Sequence, residues 1–195
     1  MDRRDFLTAG KTKKNTAATF IPTARTYSGI NPYTGPWTSN EVIHLLKRVM
    51  FGAKKSDVDY FANLTVSQAV NELLNPVAAN PSPPIKEYAT SANATTPDTN
   101  IAQGTTWIND INNDGTVQSQ RRASYKKWWT GVMINQDRSI REKMNFLWID
   151  HFGNEANEVG NANWVYKQHA TIRQNCLGNF KQMVRDITVD ICMLR

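Results

Sequence analysis

Thr38-Ser39-Asn40-Glu41-Val42-Ile43-His44-Leu45-Leu46-Lys47-Arg48-Val49-Met50 is the stretch that decides the fold. Thr38 and Glu41 have the spacing of a capping box, in which a hydroxyl accepts from an early helical N–H and the Glu reaches back. Val42, Leu45, Leu46, Val49 and Met50 then recur at helical spacing. Gly52 supplies a residue tolerant of positive φ beyond the end. The spacing predicts a helix over about 38–51.

Outward from this helix the same grammar repeats. Ser56 is placed to cap a short helix carrying Val58, Phe61 and Leu64. Thr65-Val66-Ser67-Gln68 is a second capping box, with Val66, Ala69, Val70, Leu73 and Leu74 behind it and Asn75-Pro76 as a stop. Three closely spaced helices predict a small antiparallel cluster. Residues 75–100 hold Pro76, Pro81, Pro83, Pro84 and Pro97 and read as a long exposed loop, part of a loop insertion over 75–120. Asp114-Gly115 has the composition of a hairpin turn. Helical spacing returns from about Arg121 to Asn135, with Tyr125, Trp128, Trp129, Val132 and Met133 on the face to be buried. Ser139 opens a helix that stops at Gly153, an Asn- and Gly-rich loop spans 153–162, and another helix runs from about Asn163 to Leu177. Asn179 starts a further helix over roughly 180–187, and Thr188 is placed to start one more. The expected class is all-α: an irregular multi-helix bundle over 37–195, with a disordered basic N-terminal arm over 1–36 and a long Pro-rich loop.

The 195-residue chain is long enough for one ordinary domain with a core. Six Trp, six Tyr and seven Phe argue against wholesale disorder. The net charge of +6 gathers in the N-terminal arm and in the group Arg121, Arg122, Lys126 and Lys127. Such a group is compatible with nucleic acid, but a solvated helix face is the commoner outcome, and nucleic-acid binding is the lesser reading. Cys176 and Cys192 have no metal or disulfide spacing and read as small buried apolar residues. No stretch is apolar for long enough to span a bilayer. Arg3-Arg4-Asp5-Phe6-Leu7 has the look of a twin-arginine export signal without the apolar segment such a signal needs. The default expectation is therefore the cytoplasm, with export to the periplasm or cell envelope as the alternative.

Candidate chemistry is sparse. Asp110-Ile111-Asn112-Asn113-Asp114-Gly115 matches the start of a calcium loop, with Asp110, Asn112 and Asp114 as oxygen ligands. Arg121 stands where the closing glutamate belongs, and an Asx-rich turn is the simpler reading. Ile140, Met144, Leu147, Trp148 and His151 share one helix face, and Val165, His169, Ile172 and Cys176 share another. Both histidines are thus expected to face the interior. Glu142, Asp150, His151 and His169 are the catalytic or ligating candidates, weighed against imidazoles that merely fill core space. His44, beside Glu41 and Arg48, reads as an ion-pairing surface residue. No phosphate loop, nucleophile elbow or complete triad appears, and no cofactor is read from the sequence.

Several phrases occur together in a known family. His44-Leu45-Leu46-Lys47-Arg48 with Phe51-Gly52-Ala53 resembles the HLLRRxxFG opening of the domain-of-unknown-function 1800 family. Arg141-Glu142-Lys143-Met144 with Phe146, Trp148, His151 and Phe152 resembles its REKMxxFWxxHF motif. Arg173-Gln174-Asn175, Leu177-Gly178-Asn179-Phe180 and Met193-Leu194 continue the similarity, which covers roughly 37–195. Relatives often have a histidine where Ile149 stands, which weakens a two-histidine metal pair here. They also continue beyond the motif in which this chain stops, so the resemblance implies an N-terminal part of a larger domain. It carries no established activity. The expectation is a structural or interaction module whose partner is another protein or the C-terminal half; the alternative is a hydrolase or metal-dependent enzyme completed by that half.

Overall fold

Capping chemistry sets where the helices start in the computed structural model, which describes residues 31–194. Helix α1 is Ser39–Val49, and its capping box forms: Thr38 Oγ1 accepts from the Asn40 N–H at 3.3 Å, while Glu41 Oε2 accepts from the Thr38 N–H at 2.9 Å. The chain leaves the helix through an extended Met50 whose side chain stays in the core; Gly52 has no positive φ and does not end the helix as expected. Helix α2 is Lys55–Ala62. Ser56 does not cap it: the N–H groups of Asp57 and Val58 both reach the Lys54 carbonyl at 3.0 Å, so the entry is set by backbone alone. Helix α3, Val66–Leu74, is capped reciprocally by Thr65 and Gln68 and ends at Asn75.

These helices enclose a core of Val42, Leu46, Met50, Val58, Phe61, Ala69 and Leu73. Phe61 is fully buried, and burying one such side chain stabilises by about 1.5–3 kcal/mol. Val70 and Leu74, expected in the core, are exposed.

The stretch from Asn75 to Asp114 has no helix, as the prolines predict, but it is not simply exposed. Ile85 and Thr106 form an isolated antiparallel bridge, and Gly104 at φ +78 turns the chain back so that its N–H reaches the Lys86 carbonyl at 2.9 Å. Lys86 and Asp98 are 3% and 1% exposed. The three ammonium hydrogens of Lys86 meet Thr90 Oγ1 at 2.8 Å and the carbonyls of Asp98 and Ile101 at 2.5 and 3.0 Å. Asp98 is gripped by both Tyr88 and Arg121, at 2.6 Å from each. Side chains thus supply the satisfaction that ladders would otherwise give.

Helix α4, Gly115–Ile134, begins well before Arg121 because Asp114 is its N-cap: Oδ1 accepts from Thr116 and Val117. The hairpin expected at Asp114-Gly115 is therefore a helix start. Helix α5 is Arg141–Phe152, ended by a left-handed Gly153 as expected. Short α6, Ala156–Val159, interrupts the loop before α7, Ala162–Asn175, and α8, Phe180–Thr188. Thr188 does not open another helix; its hydroxyl donates back to the Val184 carbonyl at 2.7 Å and closes α8. Two further cores form, one around Trp107, Tyr125 and Ala162, the other around Ile172, Met183 and Ile187. Among the described residues there are eight helices and no strand, and no helix is long and apolar enough to cross a membrane. The fold class is all-α as the periodicity implies; the twin-arginine-like start and most of the basic arm lie outside the described residues.

Candidate functional site

Helix α5 packs with its polar side inward. Glu142 and Asn145 are 1% and 0% exposed, whereas Phe146 and Leu147 are 43% and 52% exposed. Of the expected apolar stripe, Ile140, Met144 and Trp148 are half-buried, Trp148 against the core of Ile172, Met183 and Ile187, but Leu147 and His151 are exposed; His151 lies edge-on to Trp148 and Phe152 at 5.6 and 5.2 Å between ring centres. Asp150 is exposed as well. The reason is the neighbouring helix. α7 presents His169 and Arg173, one turn apart, and hydrogen bonds to these outweigh the burial of Phe146 and Leu147 on the other side. His151 and His169 therefore do not meet.

His169 is 2% exposed and sits among polar and aromatic partners. Its Nδ1 is 2.9 Å from the Tyr125 hydroxyl and its Nε2 is 2.9 Å from Asn145 Nδ2. With the amide nitrogen donating, Nε2 accepts and Nδ1 carries the hydrogen toward the Tyr125 oxygen. Tyr125, Trp128 and Trp129 pack edge-on around the imidazole at 5.7, 5.1 and 5.1 Å. Burial, and secondly the Arg173 charge, push the imidazole down to about 3, so it is neutral at physiological pH. Burial likewise raises the Tyr125 phenol above its ordinary range. Both ring nitrogens are engaged by side chains, so His169 in this state organises α4, α5 and α7 rather than exchanging protons with solvent.

Next to this cluster lies a cavity of about 590 Å³ between the proline-rich stretch and α4. Pro81, Pro83, Ile85, Trp128 and Val132 form apolar walls, with Glu142 and Arg173 also lining it. Glu142 Oε1 accepts from Arg173 Nε and Nη2 at 2.8 and 2.7 Å, and Arg173 Nη1 donates to Asn80 Oδ1 at 2.5 Å. Glu142 Oε2, also buried, has no protein partner. Lys127 and Glu87 pair at the cavity lining, and Trp128 Nε1 donates to the Ser82 carbonyl at 2.6 Å.

Asp110, Asn112 and Asp114 spend their oxygens within the protein. Asp110 Oδ2 takes Arg121 Nη2 at 2.5 Å, Asn112 Oδ1 accepts from the Asp114 N–H at 2.9 Å, and Asp114 Oδ2 accepts from the N–H groups of Thr95 and Thr96. The backbone donors, Val117 foremost, hold the Asp114 carboxyl below its ordinary value. Among the described residues no group of three or more His, Cys, Asp or Glu is placed to hold a metal ion. Arg121 also leaves the surface basic group: it is fully buried, and Arg122 donates to the Gly160 carbonyl at 3.0 Å. His44 is exposed on α1, as its polar neighbours suggest.

Reasoning along the sequence passed over Asn145, Arg173 and Asn80 as site residues. A signal for the first two exists: Glu142 and Asn145 are three apart, and His169 and Arg173 four apart, which puts one polar pair on each of two consecutive long helices.

A family model described as a protein of unknown function matches residues 44–195. No curated protein and no solved structure matches the chain.

Proposed function

The chain belongs to the DUF1800 family, and for it we propose a role as a helical interaction module that docks an acidic amphipathic helix of a partner protein. The observation that carries this reading is the outward apolar side of α5. Phe146 borders a groove of about 470 Å³ lined also by Met50, Phe51, Met133 and Ile134. The exposed Phe51, Phe146 and Ile134 with the half-buried Met133 make an adaptable apolar surface of the kind that accepts the apolar face of a helix. The charge around the groove selects the partner. Lys54 lines it, and Lys143 lies over the Phe51 ring at 4.6 Å. The acidic residue in the lining, Asp57, is already paired with Arg138 at 2.9 Å. Positive charge is left for an acidic flank to meet.

The hydrolase alternative has less to draw on: Glu142 is engaged by Arg173, and His169 has both nitrogens bonded. A nucleic-acid role loses Arg121 to the interior.

Fluorescence anisotropy with two labelled model helices tests the proposal, one built from Leu and Glu, the other from Leu and Lys. The acidic helix is expected to bind, more weakly at high salt, and the basic one to bind at least tenfold more weakly. Phe146→Ser and Lys143→Glu should each weaken the acidic helix. Equal binding of the two helices, or variants that bind as well as the parent, would remove the groove from consideration.

A further inference from the structure

We propose that the face where α5 and α8 meet rests on an anionic lipid surface, with apolar side chains entering the headgroup layer and two cations meeting the lipid charge. The face lies across α5 from the groove that Phe146 borders, because Trp148 is two residues further on and so turned about half-way round the helix. Three observations carry it. The first is apolar surface that runs from one helix to the other. Leu147 on α5, Leu177 in the turn before α8, and Phe180 and Val184 on α8 are all exposed. Trp148 joins them: its ring lies 5.2 Å from that of Phe180, and its Nε1 donates to the Cys176 carbonyl at 3.3 Å, so the one donor of the indole is satisfied within the protein. Contiguous exposed apolar side chains of this kind mark contact with another protein or with a membrane.

The second is uncommitted positive charge. Lys181 and Arg185 are four apart on α8 and so share one side of it, beside Phe180 and Val184. Both are exposed, and among the described residues neither has an ion-pair partner. Asp186 lies on the other side, where it accepts from Asn175 of α7 at 3.1 Å and from Gln182 at 2.6 Å. Asp150, four residues after Phe146, lies on the groove side of α5. The third is that α8 cannot turn this surface inward. Met183 and Ile187 already fill the core with Ile172, which fixes Phe180 and Val184 outside. The charge selects the occupant. A second copy would set two pairs of cations against each other. An anionic bilayer meets them, and the long Lys and Arg stems let their heads stay among the headgroups while the rings sink.

Co-sedimentation of the full chain with vesicles tests the proposal, one set made of phosphatidylcholine, the other of equal parts phosphatidylcholine and phosphatidylglycerol. The chain should bind the anionic vesicles roughly tenfold or more tightly than the neutral ones, and added salt should remove the difference. Lys181→Glu and Arg185→Glu should each weaken binding by about fivefold or more. Neither breaks a bond within the protein, so both should melt like the parent. Lys47→Glu on α1, an equal change of net charge, should leave binding nearly as it is. Phe180→Ser, which leaves the charge alone, should weaken it by roughly tenfold. Binding to neither vesicle, equal binding to both, Lys181→Glu and Arg185→Glu variants that bind as the parent does, or an equal loss with Lys47→Glu would each overturn the proposal. A dimer that Phe180→Ser dissolves would assign the face to a second copy instead. Binding of the Leu–Glu helix that is lost with Phe180→Ser but kept with Phe146→Ser would assign it to an acidic protein segment, and either result overturns the lipid reading.

Discussion

Replacing Arg121 by Met isolates what holds the proline-rich stretch against α4. Arg121 is fully buried and donates to Asp98 through Nε at 3.1 Å and Nη2 at 2.6 Å, to the Asp110 carbonyl through Nη1 at 2.9 Å, and to Asp110 Oδ2 through Nη2 at 2.5 Å. Methionine fills much of the same volume but supplies no donor. Asp98, 1% exposed, would then keep the Tyr88 hydroxyl at 2.6 Å, and its Oδ1 would lose the Arg121 donor. Stripping one partner from a buried ion pair costs about 3–5 kcal/mol, a large share of the 5–15 kcal/mol typical of a domain. At about 2–4 °C per kcal/mol for a domain of this size, the melting temperature should fall by roughly 6–20 °C. Acidity supplies an internal control. Burial alone would raise the Asp98 carboxyl, but hydrogen bonds from Arg121 and Tyr88 outweigh it and hold the group below its ordinary value. Asp98 therefore stabilises the native protein above a pH of about 4, and that contribution fades as pH falls through the lowered native value. In the variant the carboxyl is left to burial and takes up a proton readily, so the difference between parent and variant should shrink from pH 7 toward pH 4.5. Urea titrations at both pH values measure it. A loss below about 1 kcal/mol at pH 7, or one that does not shrink on acidification, would refute the reasoning.

His169 predicts a second pH effect. Its native value near 3 lies below the 6.5 of the free group, so the unfolded chain binds one more proton between those limits. Stability should therefore decline on acidification through that window, by up to about 1.4 kcal/mol per pH unit, and His169→Gln should flatten the slope; an unchanged slope in urea titrations from pH 6.5 to 4 would count against a neutral buried imidazole. At α3, Thr65→Ala should cost about 1 kcal/mol through loss of the cap, while Ser67→Ala, outside the cap pair, should cost little; equal costs in thermal melts would deny the capping box its role.

Much of the architecture was legible along the chain because helix ends are local chemistry. Thr38 with Glu41, Thr65 with Gln68, Gly153 and Asn179 each act within one turn, and each does what its spacing implies. The burial of Lys86, Asp98 and Arg121 was not legible, since, Thr90 apart, their partners lie 10 to 23 residues away and no short-range pattern announces them. The rotation of α5 failed for a different reason. Periodicity shows that a helix has two faces, and hydrophobicity is only a prior on which one turns inward. Here Arg173 and His169 on α7 reverse it, burying Glu142 and Asn145 and leaving His151 outside. For the same reason the candidate site could be half named: Glu142 and His169 were visible as residue types, whereas the cavity that Glu142 borders is walled in part by prolines that read only as loop.

The latch formed by Lys86, Tyr88, Asp98, Asp110 and Arg121 also bears on how quickly the chain comes apart. Its bonds span 10 to 23 residues and tie Asp98 and Asp110 to α4 through Arg121. If the clasp forms after the folding transition state, Arg121→Met should leave the refolding rate nearly unchanged and speed unfolding in stopped-flow urea jumps; a matching loss of refolding rate would place the clasp in the transition state instead. In the first outcome the proline-rich segment sets how long the native state lasts, a role that a reading of it as slack connecting chain would miss.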